Sequence, residues 1–414
     1  MILGFGGRDA AMRKMLPLGE AQELVLSRVA LMGAEKLPLG QAFGRVSATP
    51  VFARDALPPF DCSAMDGYAL RSDDSAGRAE VTLRVQGELP AGQAPKEALK
   101  PGCCMMVMTG APVPEGADVV VPREKVRREG SQVVIPGDLR AGTNVIKAGS
   151  DIQRGRQILD RGDVIGVGEV ALLAAQGEAD VEVYQVPTVA VLTTGDELLD
   201  VAEPLAPGKI RNSNGHMIAA AIEEAGGRPL PFPPLPDDLE KTKEALVRAA
   251  EVADLVLSTG GVSVGDYDLV RRALFEIADE VLFWRVRIKP GMPVVAAVRG
   301  KTLYLGLSGK PGGALVNFYL LVAPVIAKLS GRKNHLVPTV KAALESDFPK
   351  PSPERTRYLW ARAYYNGSWR VVLSGGELAA MRGYNALVEI PWGSGPLAAG
   401  EIVNTLLLKG VVQT

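Results

Sequence analysis

Three segments of one design recur in the middle of the chain. TVAVLTTGDEL (188–198), ADLVLSTGGVSVGDYD (253–268) and KTLYLGLSGKPGGALVNF (301–318) each run a continuous apolar stretch into a glycine-rich loop. Strands that are apolar along their whole length suit a sheet covered on both faces. The segments between them, GHMIAAAIEEAGG and LEKTKEALVRAAEVA, read as helices, the first closed by two glycines. Alternating strands and helices of this kind predict a parallel α/β domain over residues 187–330.

The flanking sequence has a different texture. From Pro17, LGEAQELVLSRVAL places Ala21, Leu24, Val25, Val29 and Leu31 near one helical face. Short strand candidates at 82–85, 104–108, 119–121 and 133–135 then alternate with turn-rich stretches such as GAPVPEGAD and DLRAGTN. A helical pattern returns over 152–186, and strands and turns return after Gly331. The expected fold class is therefore multidomain α/β and β. A discontinuous helical and linker domain (1–51 and 152–186) is interrupted by a β-rich inserted domain (52–151). The α/β domain (187–330) follows, and then a C-terminal β domain (331–414).

Composition removes several function classes. Among 414 residues there are 46 Lys+Arg against 47 Asp+Glu, which lacks the basic excess of a nucleic-acid binder. Two His and three Cys, with Cys103 and Cys104 adjacent, offer neither a disulfide framework nor zinc-ligand spacing. Carboxylates, cations, hydroxyls and backbone amides are left to do any chemistry. No apolar run approaches the roughly 18 residues of a spanning helix, and MILGFGGRDAAMRK has too short an apolar stretch for a signal peptide. The expectation is a cytoplasmic protein with no membrane and no nucleic-acid partner.

In open α/β sheets ligands bind beyond the carboxyl ends of the strands, where these three loops fall. Glycine lets backbone approach a ligand closely, and loop amides with a following helix N-terminus favour phosphate. Gly195, Gly260, Gly261 and Ser263 are candidate substrate contacts, and neither P-loop nor GxGxxG spacing is present. Asp196, Glu197, Asp266 and Asp268 lie in the same loops, where carboxylates suit a Mg²⁺ bridged to phosphate or simply cap turns and helices. In FWRVRIKPGMP (283–293), Arg285, Arg287 and Lys289 alternate, which puts them on one face of a strand as a cationic wall or a solvated face. PPFDCSAMDGYAL (58–70) reads either as a functional loop or as a linker.

PPFDCSAMDGYA, MTGAPVPEGAD, TTGDEL, STGGVSVGDYD and IKPGMP, in this order, resemble the molybdopterin molybdenumtransferases of bacterial molybdenum-cofactor synthesis, relatives of the C-terminal domain of gephyrin. The resemblance runs from about Pro17 to about Lys409. It implies an α/β domain of molybdopterin-binding type and a four-domain homodimer. It also implies insertion of molybdate into adenylylated molybdopterin with Mg²⁺ and release of AMP, the substrate coming from an adenylyltransferase partner.

Position by position, the resemblance assigns function to Asp66, Thr109, Asp151, Glu197, Asp237, Asp268, Arg285, Lys289 and Arg362, the last placed by the Arg357–Arg362 spacing. Glu197 and Asp268 would hold Mg²⁺ against the pyrophosphate. Arg285, Lys289 and Arg362 would hold molybdate or the terminal pterin phosphate. Asp66, with Thr109, would position water or move protons, completing the site of the dimer partner.

Departures from the family pattern are concentrated in two places. The third loop reads LSGKPGG where LPGNPVS is usual, so Lys310 adds a charge beside the expected phosphate site. SGGELAAMRGYNAL (374–387) replaces a serine-rich segment, with Gly375 at the position of a functional serine. Arg285 stands where Lys is usual, and Cys62 where Asn is usual. These changes leave a tungstate-using or scaffold paralogue as competing readings; an enzyme that adenylylates molybdopterin is a third, because its α/β fold is similar, and the β unit with Asp66 and the C-terminal β domain argue against it.

Overall fold

The computed structural model describes residues 13–263, 265, 268–374 and 378–408. The chain divides into two compact units, one of Met1–Thr49, Arg161–Val167 and Asp180–Thr414, the other of Pro50–Asp160 and Gly168–Ala179.

The larger unit holds a seven-stranded sheet in the order Arg13–Leu16, Glu280–Val286, Val295–Arg299, Thr302–Leu307, Leu255–Thr259, Thr188–Thr193, Arg228–Pro231. The three strands of the repeated design are adjacent and parallel, with Val256 opposite both Ala190 and Tyr304. All of Thr188–Thr193 and Leu255–Thr259 is buried, as their unbroken apolar runs require. The sheet is mixed, however, and not parallel throughout. Val295–Arg299 runs antiparallel to both its neighbours, because the chain reverses at Gly300 (φ +59°) and Lys301 in a two-residue hairpin. The expectation of a parallel sheet missed the turn chemistry of that VRGKT stretch.

Helices cover both faces. Ser213–Glu224 and Leu18–Ser27 pack into one core with Leu257 and Leu305, while Leu239–Val252 and Leu269–Ile277 pack into another with Val256 and Tyr304. Pro311–Leu329 is a 19-residue helix long and apolar enough to cross a bilayer, contrary to the reading of the sequence. It is 83% buried, so its apolarity serves the core of this unit.

The same unit contains a β-structure in which Thr356–Tyr365, Trp369–Leu373, Thr339–Leu344, Ile402–Leu407 and Ala386–Ile390 pair in turn, and the last pairs back with the first. This closed barrel carries Ile288–Lys289 as an additional parallel strand. The smaller unit is built on a six-stranded sheet, ordered Val119–Pro122, Gly67–Leu70, Cys103–Val107, Glu80–Leu89, Gln132–Pro136, Arg127–Glu129. Its strands extend three of the four short candidates by one to six residues and shift the fourth by one, to Cys103–Val107, since charged residues such as Glu80 and Glu88 pair through backbone regardless of side chain.

Candidate active site

The three glycine loops leave the sheet at one edge and meet there. Thr194 N–H donates to Thr259 O at 3.3 Å, and Gly260 N–H to Leu307 O at 3.2 Å, so each loop starts pinned to its neighbour. Gly260 (φ +91°) and Gly309 approach so closely that a Cβ on Gly309 would stand 3.3 Å from the Gly260 Cα. A side chain on Gly309 would press on the Gly260 backbone, and the positive φ of Gly260 itself favours glycine.

The first loop is braced by its own acids. Asp237 N–H donates to Asp196 Oδ1 at 3.1 Å, and Asp196 N–H to Asp237 Oδ2 at 3.5 Å. Asp237, assigned by resemblance, is thereby a clamp on the loop. Glu197 is exposed, and its carboxylate folds over Gly195 (φ +141°). In the second loop Asp268 accepts a hydrogen bond from Gly265 N–H and immediately precedes the helix Leu269–Ile277. It caps the loop and also lines a cavity of about 480 Å³ with Gly260, Gly261, Ser263, Lys289, Lys310 and Arg355. Asp266 lies outside the described residues, as does Gly375.

Two further cavities adjoin this one. A space of about 100 Å³ shares Gly260 and Gly309 with it and is lined by Glu197, Ser213 and Asn214. A space of about 550 Å³ shares Pro290, Lys310 and Gly313 and reaches the barrel residues Lys350, Arg357 and Trp360. A larger cavity, about 990 Å³, opens at the opposite end of the strands near Thr188, Asp254 and Thr302. Its arginines are already engaged, Arg45 with Glu35 and the Tyr184 carbonyl, and Arg228 with Thr188.

The expected cationic wall does not form. Arg285 has φ +73°, a left-handed conformation that breaks the alternation of an extended strand. Its guanidinium lies 4.2 Å from the centre of the Trp284 ring, that of Arg287 4.5 Å from the Trp392 ring, and only Lys289 reaches the 480 Å³ cavity. Arg362 is exposed on the outer face of the barrel and lines none of the three adjoining cavities, whereas Arg355 and Arg357 do.

Asp66 and Thr109 meet in the smaller unit: Thr109 N–H and Oγ1–H both donate to Asp66 Oδ1 at 2.8 Å. The Thr109 amide, then its hydroxyl, hold the Asp66 carboxyl below its usual range. Asp151 is exposed, its amide bonded to Leu57 O at 3.0 Å. The loop 58–70 is ordered by Asp61, which accepts from Lys147 Nζ at 2.7 Å and from Ala148 N–H at 2.9 Å. Cys62, Cys103 and Cys104 are buried and free.

Residues 16–177 match the family model "MoeA N-terminal region (domain I and II)", and residues 190–328 match "Probable molybdopterin binding domain". A molybdopterin molybdenumtransferase of Nostoc sp. is 36% identical over 386 residues, 90% of this chain and 88% of the relative. One from Staphylococcus aureus (strain COL) is 34% identical over 406 residues, 96% of both. The chain belongs to the molybdopterin molybdenumtransferase family. The crystal structure of the molybdopterin biosynthesis moeA protein from Pyrococcus horikoshii OT3 superposes with a TM-score of 0.82 at 33% identity, covering 95% of this chain and all of that one.

Within this member of the molybdopterin molybdenumtransferases, the sequence reading missed several residues that shape the site. Asn317, fully buried, donates to Gly291 O at 2.7 Å and accepts from Ser308 N–H at 3.2 Å, tying the third loop to the turn after Lys289. Asn214 donates to Gly309 O at 2.8 Å. Trp284 donates to Val262 O at 3.0 Å and so holds the second loop. None has a motif of its own, since each acts through a contact distant in sequence. A Mg²⁺ ion, implied by the family, suits the donor set as a substrate-bridged ion. Glu197 and Asp268 offer hard carboxylate oxygens in adjoining cavities, and Mg²⁺ is commonly held by one or two carboxylates with phosphate and water. Among the described residues no group of three or more His, Cys, Asp or Glu converges, so the protein forms no complete metal cage there.

Proposed function

We propose that this protein inserts molybdate into adenylylated molybdopterin with Mg²⁺ assistance, releasing AMP and the molybdenum cofactor. The reading includes a cytoplasmic homodimer of four-domain subunits, supplied by an adenylyltransferase. The observation that carries it is the meeting of the three glycine loops, with Asp268, Lys289 and Lys310 lining one cavity and Glu197 lining the space that adjoins it.

In this reading the loop amides at Gly260, Gly261 and Ser263 take the phosphates, because glycine permits close backbone approach without a Cβ in the way. Lys289 and Lys310 neutralise the anionic substrate by charge-assisted hydrogen bonds. Mg²⁺, when bound by Glu197 and Asp268, supplies electrostatic stabilisation for charge that develops on the phosphoanhydride. Arg285 is held against Trp284 and contributes positive potential near the second loop. The Asp66 carboxylate, kept ionised by Thr109, is a weak base, which favours orienting water or an oxo group over taking a proton to itself. Asp237 and Gly195 shape the loop that presents Glu197.

The test is to incubate the purified protein with adenylylated molybdopterin, molybdate and Mg²⁺ and to measure AMP and active cofactor. Both products are expected, and both are expected to fall by orders of magnitude in Glu197→Ala and Asp268→Ala. Absence of AMP release from the intact protein would sink the reading. Full cellular function in Glu197→Ala would point instead to a scaffold.

A further inference from the structure

The 550 Å³ cavity between the start of the Pro311–Leu329 helix and the barrel is lined by cations that no described carboxylate pairs with. Lys310, Lys350 and Arg357 line it, and among the described residues no carboxylate lies within ion-pair distance of any of them. Its one described carboxylate, Asp347, accepts the Ala399 amide at 2.8 Å. Lys310 also lines the 480 Å³ cavity, so this residue is shared by the two spaces.

A second donor faces the same place. Trp360 is only 5% exposed, and among the described residues its indole N–H meets no acceptor. The Nε1 is the atom that a Cβ on Gly312 would meet, at 3.6 Å, so it faces the first turn of the helix. Gly312 and Gly313 lie in that turn, where amides have no intrahelical partner. Trp360 lines the cavity, so this N–H is available to donate to a ligand there. Arg362 is absent from this arrangement for a simple reason. Tyr358, Trp360 and Arg362 alternate along the outer face of the barrel. The first two are buried against Leu315 and Tyr319 of the helix, and Arg362 lies one step beyond that cover.

Resting on the proposed reaction, we infer that Lys310, together with the indole N–H of Trp360, is the specificity-determining contact for the tetrahedral oxyanion in this chain, taking the role that sequence spacing gave to Arg362. A compact dianion matches the site: two or three cations surround it, the helix start favours negative charge, and the N–H donors converge from different elements. Lys310, shared by the two spaces, touches this anion and the phosphate in the adjoining cavity together, which holds the two reactants side by side.

The test is equilibrium binding of molybdate alone to the full-length protein, by calorimetry, with sulfate and inorganic phosphate as comparison anions. Lys310→Gln is expected to weaken molybdate binding about tenfold or more and to flatten its salt dependence. Trp360→Phe, which keeps an aromatic side chain but removes the donor, is expected to weaken it severalfold, and Arg362→Gln less than twofold. Lys310 is exposed, so thermal melting should show Lys310→Gln folded as wild type. Binding unchanged in Lys310→Gln, a larger loss in Arg362→Gln, or molybdate bound no better than sulfate by the intact protein would each overturn the inference. Because the readout is oxyanion binding without turnover, Lys310-dependent binding with no AMP release would defeat the proposed reaction and leave this contact standing.

Discussion

The carboxylate of Glu197 occupies the space that a Cβ on Gly195 would need. Gly195 has φ +141°, a conformation side chains rarely adopt, so two separate penalties guard this position. Gly195→Ala is expected to cost about 1–3 kcal/mol in backbone strain and to push Glu197 out of place. Turnover should fall at least tenfold, approaching that of Glu197→Ala, while thermal denaturation still shows one cooperative transition. Near-normal turnover in Gly195→Ala would mean that the position of Glu197 is unimportant.

Asn317 supports the site from beneath. Its fully buried amide satisfies both Gly291 O and Ser308 N–H. Asn317→Leu would leave both groups unpaired, at about 1–3 kcal/mol each. The variant should melt several degrees lower and show a raised KM for substrate, since the third loop and the turn after Lys289 lose their link. A variant that is destabilised with unchanged KM would confine Asn317 to a role in stability.

Trp284 separates two functions that the sequence could not distinguish. Its N–H holds Val262 O, and its ring carries the guanidinium of Arg285. Trp284→Phe should lose about 1–3 kcal/mol of stability from the unpaired carbonyl yet keep a stacking platform. Trp284→Leu should lose more, including roughly 0.5–2 kcal/mol of cation–π attraction, and weaken anion binding further. Urea unfolding and substrate KM, measured on both variants, would separate the two contributions.

These cases show what was legible in the chain. The loops at 193–197, 258–266 and 307–313 were readable because apolar strands, glycine and acid recur in a local pattern. The Asp66–Thr109 pair was reachable only through resemblance, since 43 residues separate its members. The alternation of Arg285, Arg287 and Lys289 misled because φ +73° at Arg285 is invisible to a rule that assumes extended backbone. Arg362 was placed by its spacing from Arg357, and spacing alone does not reveal where the helix stops covering the barrel. Arg357 pairs with Lys289 across adjacent strands and lines the 550 Å³ cavity, which Arg362 does not.

Cys104 offers a chemical check on the smaller unit. Burial, with a lesser contribution from Cys103, pushes its thiol pKa up to about 12. Its contribution to stability is therefore intact below the ordinary thiol value of about 8.5 and is eroded as pH rises toward 12. Iodoacetamide at pH 8 should leave Cys104 unmodified in the native protein and alkylate it in urea. Rapid native labelling would show that the Cys103–Val107 strand opens readily.

Asp66 should give a pH signature of opposite sign. Because Thr109 depresses its pKa, the pair stabilises the fold above the ordinary aspartate value of about 3.9, and that stabilisation is lost as pH falls through the depressed folded value. Thr109→Val removes the hydroxyl donor and leaves the amide donor in place. The variant should be less stable than wild type at pH 7, with the gap closing at acid pH once Asp66 is protonated in both. Carboxyl-detected NMR should show the Asp66 midpoint moving up toward its usual range. A gap between the two proteins that stays constant from pH 7 to pH 2 would rule out the hydroxyl–carboxylate bond as the cause, because lost packing has no reason to titrate with this group.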